Sequence, residues 1–308
     1  MNEKWMEMRD GTIIYSKCKK PEGLKKARVH LVHGLAEHSR RYEQFMDYLA
    51  SNGYEVVVHD QRGHGKTAAA NYHPYGYLGE NATFDHLVDD AFEVLQDYRA
   101  DGPDLPIIII GHSMGSFVVR RFIQLYGNAV DEVVLSGTGS NAKPVGFAGK
   151  LLSEYRESRL SDQEPDEFLN NMIFGSYSKL FPEESSFAWL SRDKESVQDY
   201  VEDEACGFVP TAQLFRVLLE GMNSIESPEL LQNIPHDLPI LLVSGTEDPV
   251  GNGGKGVWKT AKQFIKAGQE SVTVQLYEGG RHEMLQETNR HEVFKYIVGW
   301  MEQHERSN

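Results

Sequence analysis

A chain of 308 residues carries 31 Lys and Arg against 46 Asp and Glu, a formal net charge of −15, with 40% hydrophobic residues. That length suits one large α/β domain with an insertion, and no long basic run interrupts the acidic surface. Nucleic acid is therefore excluded as a partner, and docking on anionic lipid is disfavoured.

In chain order, Asp10-Gly11 reads as the turn of an antiparallel hairpin. Strand-like apolar runs follow at 29–32, 54–59, 107–110, 133–136, 240–243 and 272–277, with amphipathic helical patterns at 41–50, 84–98, 117–126 and 293–302. The alternation predicts a parallel sheet covered by helices. Continuous apolar composition in the 107 and 240 runs suits strands buried on both faces, and we expect both to be central. From about 141 to 222 the strand rhythm stops. Polar helical segments there carry Phe147, Tyr155, Phe168, Ile173, Phe174, Tyr177, Phe181, Phe187 and Trp189. We read 141–222 as an inserted helical cap on a core made of 1–140 and 223–308.

The two cysteines, Cys18 and Cys206, lie far apart and outside any C-x-x-C spacing, so no disulfide framework or zinc knuckle is indicated. Cys206 reads as a small buried hydrophobe. Charges are interspersed from Met1 onward and no apolar spanning segment occurs, so the expectation is a soluble, cytoplasmic protein without stable membrane insertion. Oligomeric state is not readable.

Gly111-His112-Ser113-Met114-Gly115 follows four isoleucines and precedes a helical pattern. A sharp strand-to-helix turn brings the positions two before and two after the serine close together, and glycine fits both. Ser113 then stands clear of the sheet at a helix start, where backbone N–H groups and a partial positive charge converge. A serine hydroxyl is a poor nucleophile at neutral pH and needs a base, itself oriented by a third group. After the run 240–243 come the adjacent carboxylates Glu247 and Asp248. After the run 272–277, Gly279-Gly280-Arg281-His282 supplies an imidazole. The order Ser, acid, His at successive strand ends is that of an α/β-hydrolase. We favour Asp248 over Glu247, a choice that adjacency leaves open. Oxyanion donors are expected from the Met114 N–H and from the Leu35 N–H in His33-Gly34-Leu35, with His33, Gly34, Gly111, His112 and Gly115 in support. Asp60 and His64 have metal-like spacing, but no further ligand cluster accompanies them, and we assign no metal.

Together, His33-Gly34-Leu35-Ala36-Glu37-His38 with Arg41-Tyr42, Asp60-Gln61-Arg62-Gly63-His64-Gly65, the serine turn, the Asp248 turn and Arg281-His282-Glu283 resemble the monoacylglycerol lipase and lysophospholipase-like branch of the α/β-hydrolases. The resemblance implies an eight-stranded, mostly parallel sheet, a helical cap between the sixth and seventh strands, no cofactor, and small acyl esters as substrates. Residues 202–208 depart from the Asp-Pro-Leu-Cys pattern usual where relatives leave the cap, and Thr67 stands where many have serine. Two rival readings are an aminopeptidase of the proline iminopeptidase type, with Glu154, Glu157, Glu164, Glu167, Glu183 or Glu184 binding an amino terminus, and a non-catalytic ligand-binding protein on the same fold.

Overall fold

The computed structural model describes residues 1–101, 104–140, 143–181 and 185–304, without the side chains of 143–148 and 150. The side chain of Phe147 and residues Glu183 and Glu184 lie outside the described residues.

The hairpin strands β1 (Asn2–Glu7) and β2 (Ile13–Lys19) pair antiparallel across the Asp10-Gly11 turn, and β2 pairs antiparallel with β4 (Tyr54–His59). All other neighbours are parallel: β3 (Ala27–Val32), β5 (Ile107–His112), β6 (Glu132–Ser136), β7 (Ile240–Gly245) and β8 (Val272–Tyr277) complete an eight-stranded sheet in the order β1-β2-β4-β3-β5-β6-β7-β8. The helices are α1 (Glu43–Ser51), α2 (Gly65–Ala70), α3 (Phe84–Ala100), α4 (Met114–Tyr126), α5 (Lys143–Glu157), α6 (Glu167–Phe174), α7 (Lys194–Glu202), α8 (Ala212–Ser224), α9 (Pro228–Leu231), α10 (Lys255–Lys266) and α11 (Arg290–His304). This is an α/β-hydrolase fold.

The two-residue period of a strand explains the four isoleucines. Ile107 and Ile109 pack with α3, α4, α8 and α10, whereas Ile108 and Ile110 pack on the opposite face with α1 and α11. Each such burial contributes about 1.5–3 kcal/mol. The 240 run obeys the same rule but is not central: β7 lies next to the edge strand β8. Its Ile240 and Leu242 face one layer and Leu241 and Val243 the other, so continuous apolar composition reports burial on two faces, not position in the sheet.

Between β6 and β7 the described chain holds the helices α5 to α9 and no strand. Helix α8 spans the expected boundary at 222, and its Leu214 and Val217 belong to the core layer beneath α4. The glycine-rich stretch 251–256 ends sooner than its composition suggests, since Gly254, at φ 82°, starts α10 at Lys255. No described helix is long and apolar enough to cross a membrane.

Two buried histidines face each other inside the sheet, His30 Nε2 lying 3.0 Å from His59 Nδ1. Burial pushes the His30 pKa down to about 3 and that of His59 well below its ordinary value. The unfolded chain takes up these protons near pH 6.5 while the folded one does not, so this stabilisation is complete above 6.5 and lost as pH falls toward 3. Urea unfolding at pH 7 and pH 5 should show a drop in stability that is smaller in His30→Leu; an equal drop would contradict the assignment.

Candidate active site

The turn from β5 into α4 holds Ser113 at φ 51° and ψ −119°, a conformation costly for any residue with a side chain. Close packing around it explains both glycines, with a partner for the second that the sequence did not suggest. A Cβ on Gly111 would stand 2.4 Å from the Gly115 carbonyl oxygen, and one on Gly115 would stand 2.1 Å from the carbonyl oxygen of Val32 in β3. The serine sits half-buried above the sheet, with the start of α4 directly after it.

His282 reaches Ser113 from the loop after β8. Its Nδ1 lies 2.9 Å from Asp248 Oδ1 and its Nε2 lies 2.9 Å from Ser113 Oγ. An ionised carboxylate only accepts, so Nδ1–H donates to Asp248 and Nε2 is left to accept from the serine hydroxyl. Asp248 is fully buried; its Oδ2 accepts from the Ser244 hydroxyl at 2.8 Å and its Oδ1 also from the Val250 N–H at 2.9 Å. Burial raises the Asp248 pKa, but His282 and these donors outweigh it and leave it below the usual carboxylate value. For His282, burial disfavours charge, yet Asp248, with Glu283 and Glu37 beyond it, holds the ring above an ordinary histidine. Glu247 is exposed and the neighbouring Asp248 alone of the two bonds the ring.

The loop that carries Leu35 lies beside the serine. A Cβ on Gly34 would lie 3.1 Å from Ser113 Cβ, which puts the 33–35 turn against the serine. Neither the Leu35 nor the Met114 N–H has an acceptor among the described residues. Buried His33 accepts from the Gln61 N–H at 2.9 Å through Nε2 and so donates from Nδ1 to the Gly34 carbonyl at 2.8 Å, which fixes the turn. His112 packs beside His282 at 4.9 Å between ring centroids, and burial, reinforced by His282, pushes its pKa down to about 3. The Asp60–His64 segment is a structural turn. Asp60 accepts the Ser39 and Lys66 N–H groups, and Thr67 Oγ1 bonds the Asp60 carbonyl at 2.7 Å.

Several neighbours were not identified from sequence. Gly137, at φ 61° after β6, leaves room for both rings: a Cβ there would stand 2.9 Å from His282 Cε1 and 3.1 Å from His112 Cε1. A glycine immediately after a strand that ends beside the serine was the available signal. Buried Glu37 accepts from the Gly34 N–H at 2.5 Å, from Tyr42 Oη at 2.8 Å and from Arg41 Nη1 at 3.0 Å, and Arg41 forks onto Glu283, the residue after His282. On the other side the Trp189 ring lies 5.2 Å from His282 and continues into Tyr177, Phe174 and Phe215. The Glu283 N–H donates to the Leu190 carbonyl at 2.7 Å, while Arg281 Nη1 donates to the carbonyls of Ala188 and Ser191. The histidine loop is thus strapped to residues 188–191.

The family model described as serine aminopeptidase, S33, matches residues 23–289. The chain belongs to the S33 family. This S33 chain is 27% identical over 306 residues to the monoglyceride lipase of Homo sapiens, covering 96% of this chain and 88% of that one. It is 26% identical over 289 residues to the monoacylglycerol lipase of Mycolicibacterium smegmatis, covering 90% and 88%. Among solved structures, a thermostable carboxyl esterase from Bacillus coagulans, in complex with glycerol, superposes with a TM-score of 0.91 at 25% identity over 99% of both chains.

A methyl group at 137 would push the imidazole and strain the backbone, so Gly137→Ala should lower kcat by about 10–100-fold while the protein stays folded; unchanged kcat would contradict the packing. Asp248 raises the His282 pKa, so with the neutral ring acting as base kcat/KM is expected to rise with pH through a midpoint above about 6.5. A profile flat from pH 5 to 8 would remove His282 as the titrating group.

Proposed function

We propose that the chain is a serine carboxylic ester hydrolase acting through an acyl-enzyme on monoacylglycerol, lysophospholipid or similar small acyl esters. The observation that carries the reading is the unbroken relay from Asp248 through His282 to Ser113, two bonds of 2.9 Å ending at a strained strand-to-helix turn.

In this reading Ser113 Oγ attacks the ester carbonyl while its proton passes to His282 Nε2. The imidazolium formed is stabilised by Asp248, and the Leu35 and Met114 N–H groups, unpaired among the described residues, receive the oxyanion. His282 returns the proton to the leaving alcohol, whose departure leaves the acyl group on Ser113. A water then attacks the acyl carbon and gives a proton to His282, which passes it to Ser113 Oγ as the acyl–serine bond breaks and the acid leaves. The steps as proposed use the chain's own side chains and backbone N–H groups together with water. We read 141–222 as the cap over this site, with Phe174, Tyr177 and Trp189 as an apolar wall leading to His282.

The relatives' names support ester over amide substrates, and so do the cap carboxylates. Glu154, Glu164 and Glu167 are exposed, and Glu157 is paired with Arg216, so none of these four is a buried free carboxylate ready for an amino terminus. A chain-length panel of monoacylglycerols, lysophospholipids and p-nitrophenyl esters, run beside amino-acid p-nitroanilides, tests the proposal. Turnover of esters should exceed that of the anilides, and Ser113→Ala should lose on the order of 10³-fold or more in kcat. Faster amide turnover would overturn the reading.

A further inference from the structure

Away from Ser113 the fold brings together three ligating side chains of different chemistry. His38 follows the Leu35 turn, whereas Asp203 and Cys206 lie just after α7, within the 141–222 segment. His38 Nε2 is 3.0 Å from Asp203 Oδ2, and a ring nitrogen of His38, a carboxylate oxygen of Asp203 and Cys206 Sγ all lie within 4.8 Å of one another. We propose that His38, Asp203 and Cys206 form a site for a thiophilic divalent cation of the zinc class.

The donor set argues for that class. One imidazole, one thiolate and one carboxylate match the borderline ligands of zinc, while calcium and magnesium take oxygen ligands alone. Ligand atoms around tetrahedral zinc, at about 2.0–2.3 Å from the metal, stand about 3.3–3.8 Å apart, so shifts of about 1 Å or less close the site. Charge balances too: a dication with one carboxylate and one thiolate is neutral. His38 and Cys206 are buried and Asp203 is partly exposed, which leaves one side open for a water as fourth ligand. Binding releases the Cys206 thiol proton and moves the His38 ring proton from Nε2 to Nδ1, at the cost of the 3.3 Å contact in which Nδ1 accepts the Arg40 N–H. The three residues already sit on a fixed junction, because the Gly207 N–H donates to the Ala36 carbonyl at 2.9 Å and the Asp203 carboxylate accepts the Ala205 N–H at 2.9 Å. A bound ion would clip the segment after α7 to the loop that carries Leu35.

Titration of the metal-free full-length protein with cobalt(II) tests the site without reference to activity. One equivalent should produce a near-ultraviolet thiolate-to-cobalt charge-transfer band with the visible bands of a tetrahedral ion, in wild type and in Cys18→Ser but not in Cys206→Ser. Zinc should raise the Tm of wild type and not that of Cys206→Ser. Should Cys206→Ser fail to fold, His38→Gln serves instead, expected to weaken cobalt binding at least tenfold. Cobalt bound without a thiolate band, or a band that survives in the folded Cys206→Ser or at full affinity in His38→Gln, would overturn the proposal.

Discussion

A carboxylate with no exposure to solvent cannot remain ionised unless donors replace the water it has lost, and Asp248 sits under that constraint. Its donors come from three places: the Ser244 hydroxyl at the end of β7, the Val250 N–H of its own loop, and His282 from the loop after β8. The end of β7 and two loops are therefore bound together by one buried charge. The same bond fixes the imidazole tautomer, so the nitrogen facing Ser113 is the one without a proton.

Around that charge the protein stacks further restraints on one ring. His112 and Trp189 flank the imidazole, Gly137 leaves it space, and Arg281 straps its loop to carbonyls of residues 188 and 191. Arg41 ties Glu283 to Glu37, which in turn holds the Gly34 amide and so the loop bearing Leu35. Burial opposes the Arg41 charge, and Glu283 with Glu37 outweighs it. The serine turn, the histidine loop and the 33–35 turn consequently behave as one packed unit, in which displacement of any part is felt by the others.

Much of this was legible in the sequence because the signals were local. The 54–59 and 272–277 runs coincide with β4 and β8, and glycine spacing around Ser113 marks a turn whose geometry needs it. That Ser113, His282 and a carboxylate from 247–248 would meet was readable from their order and from strand ends. What stayed hidden depends on three-dimensional neighbours. Glu247 and Asp248 are chemically alike, and only burial separates them. The Arg41–Glu283 pair spans 242 positions and His38–Asp203 spans 165, with no periodicity to announce either. The place of β7 beside the edge was hidden because helices on both faces make a near-edge strand as apolar as a central one.

The most direct measurement is labelling with a fluorophosphonate followed by peptide mapping of the adduct. A single adduct on Ser113, formed in wild type and slowed by orders of magnitude in His282→Ala, is the expected result. Modification of another serine, or equal labelling with and without the imidazole, would contradict the relay from Asp248 to Ser113.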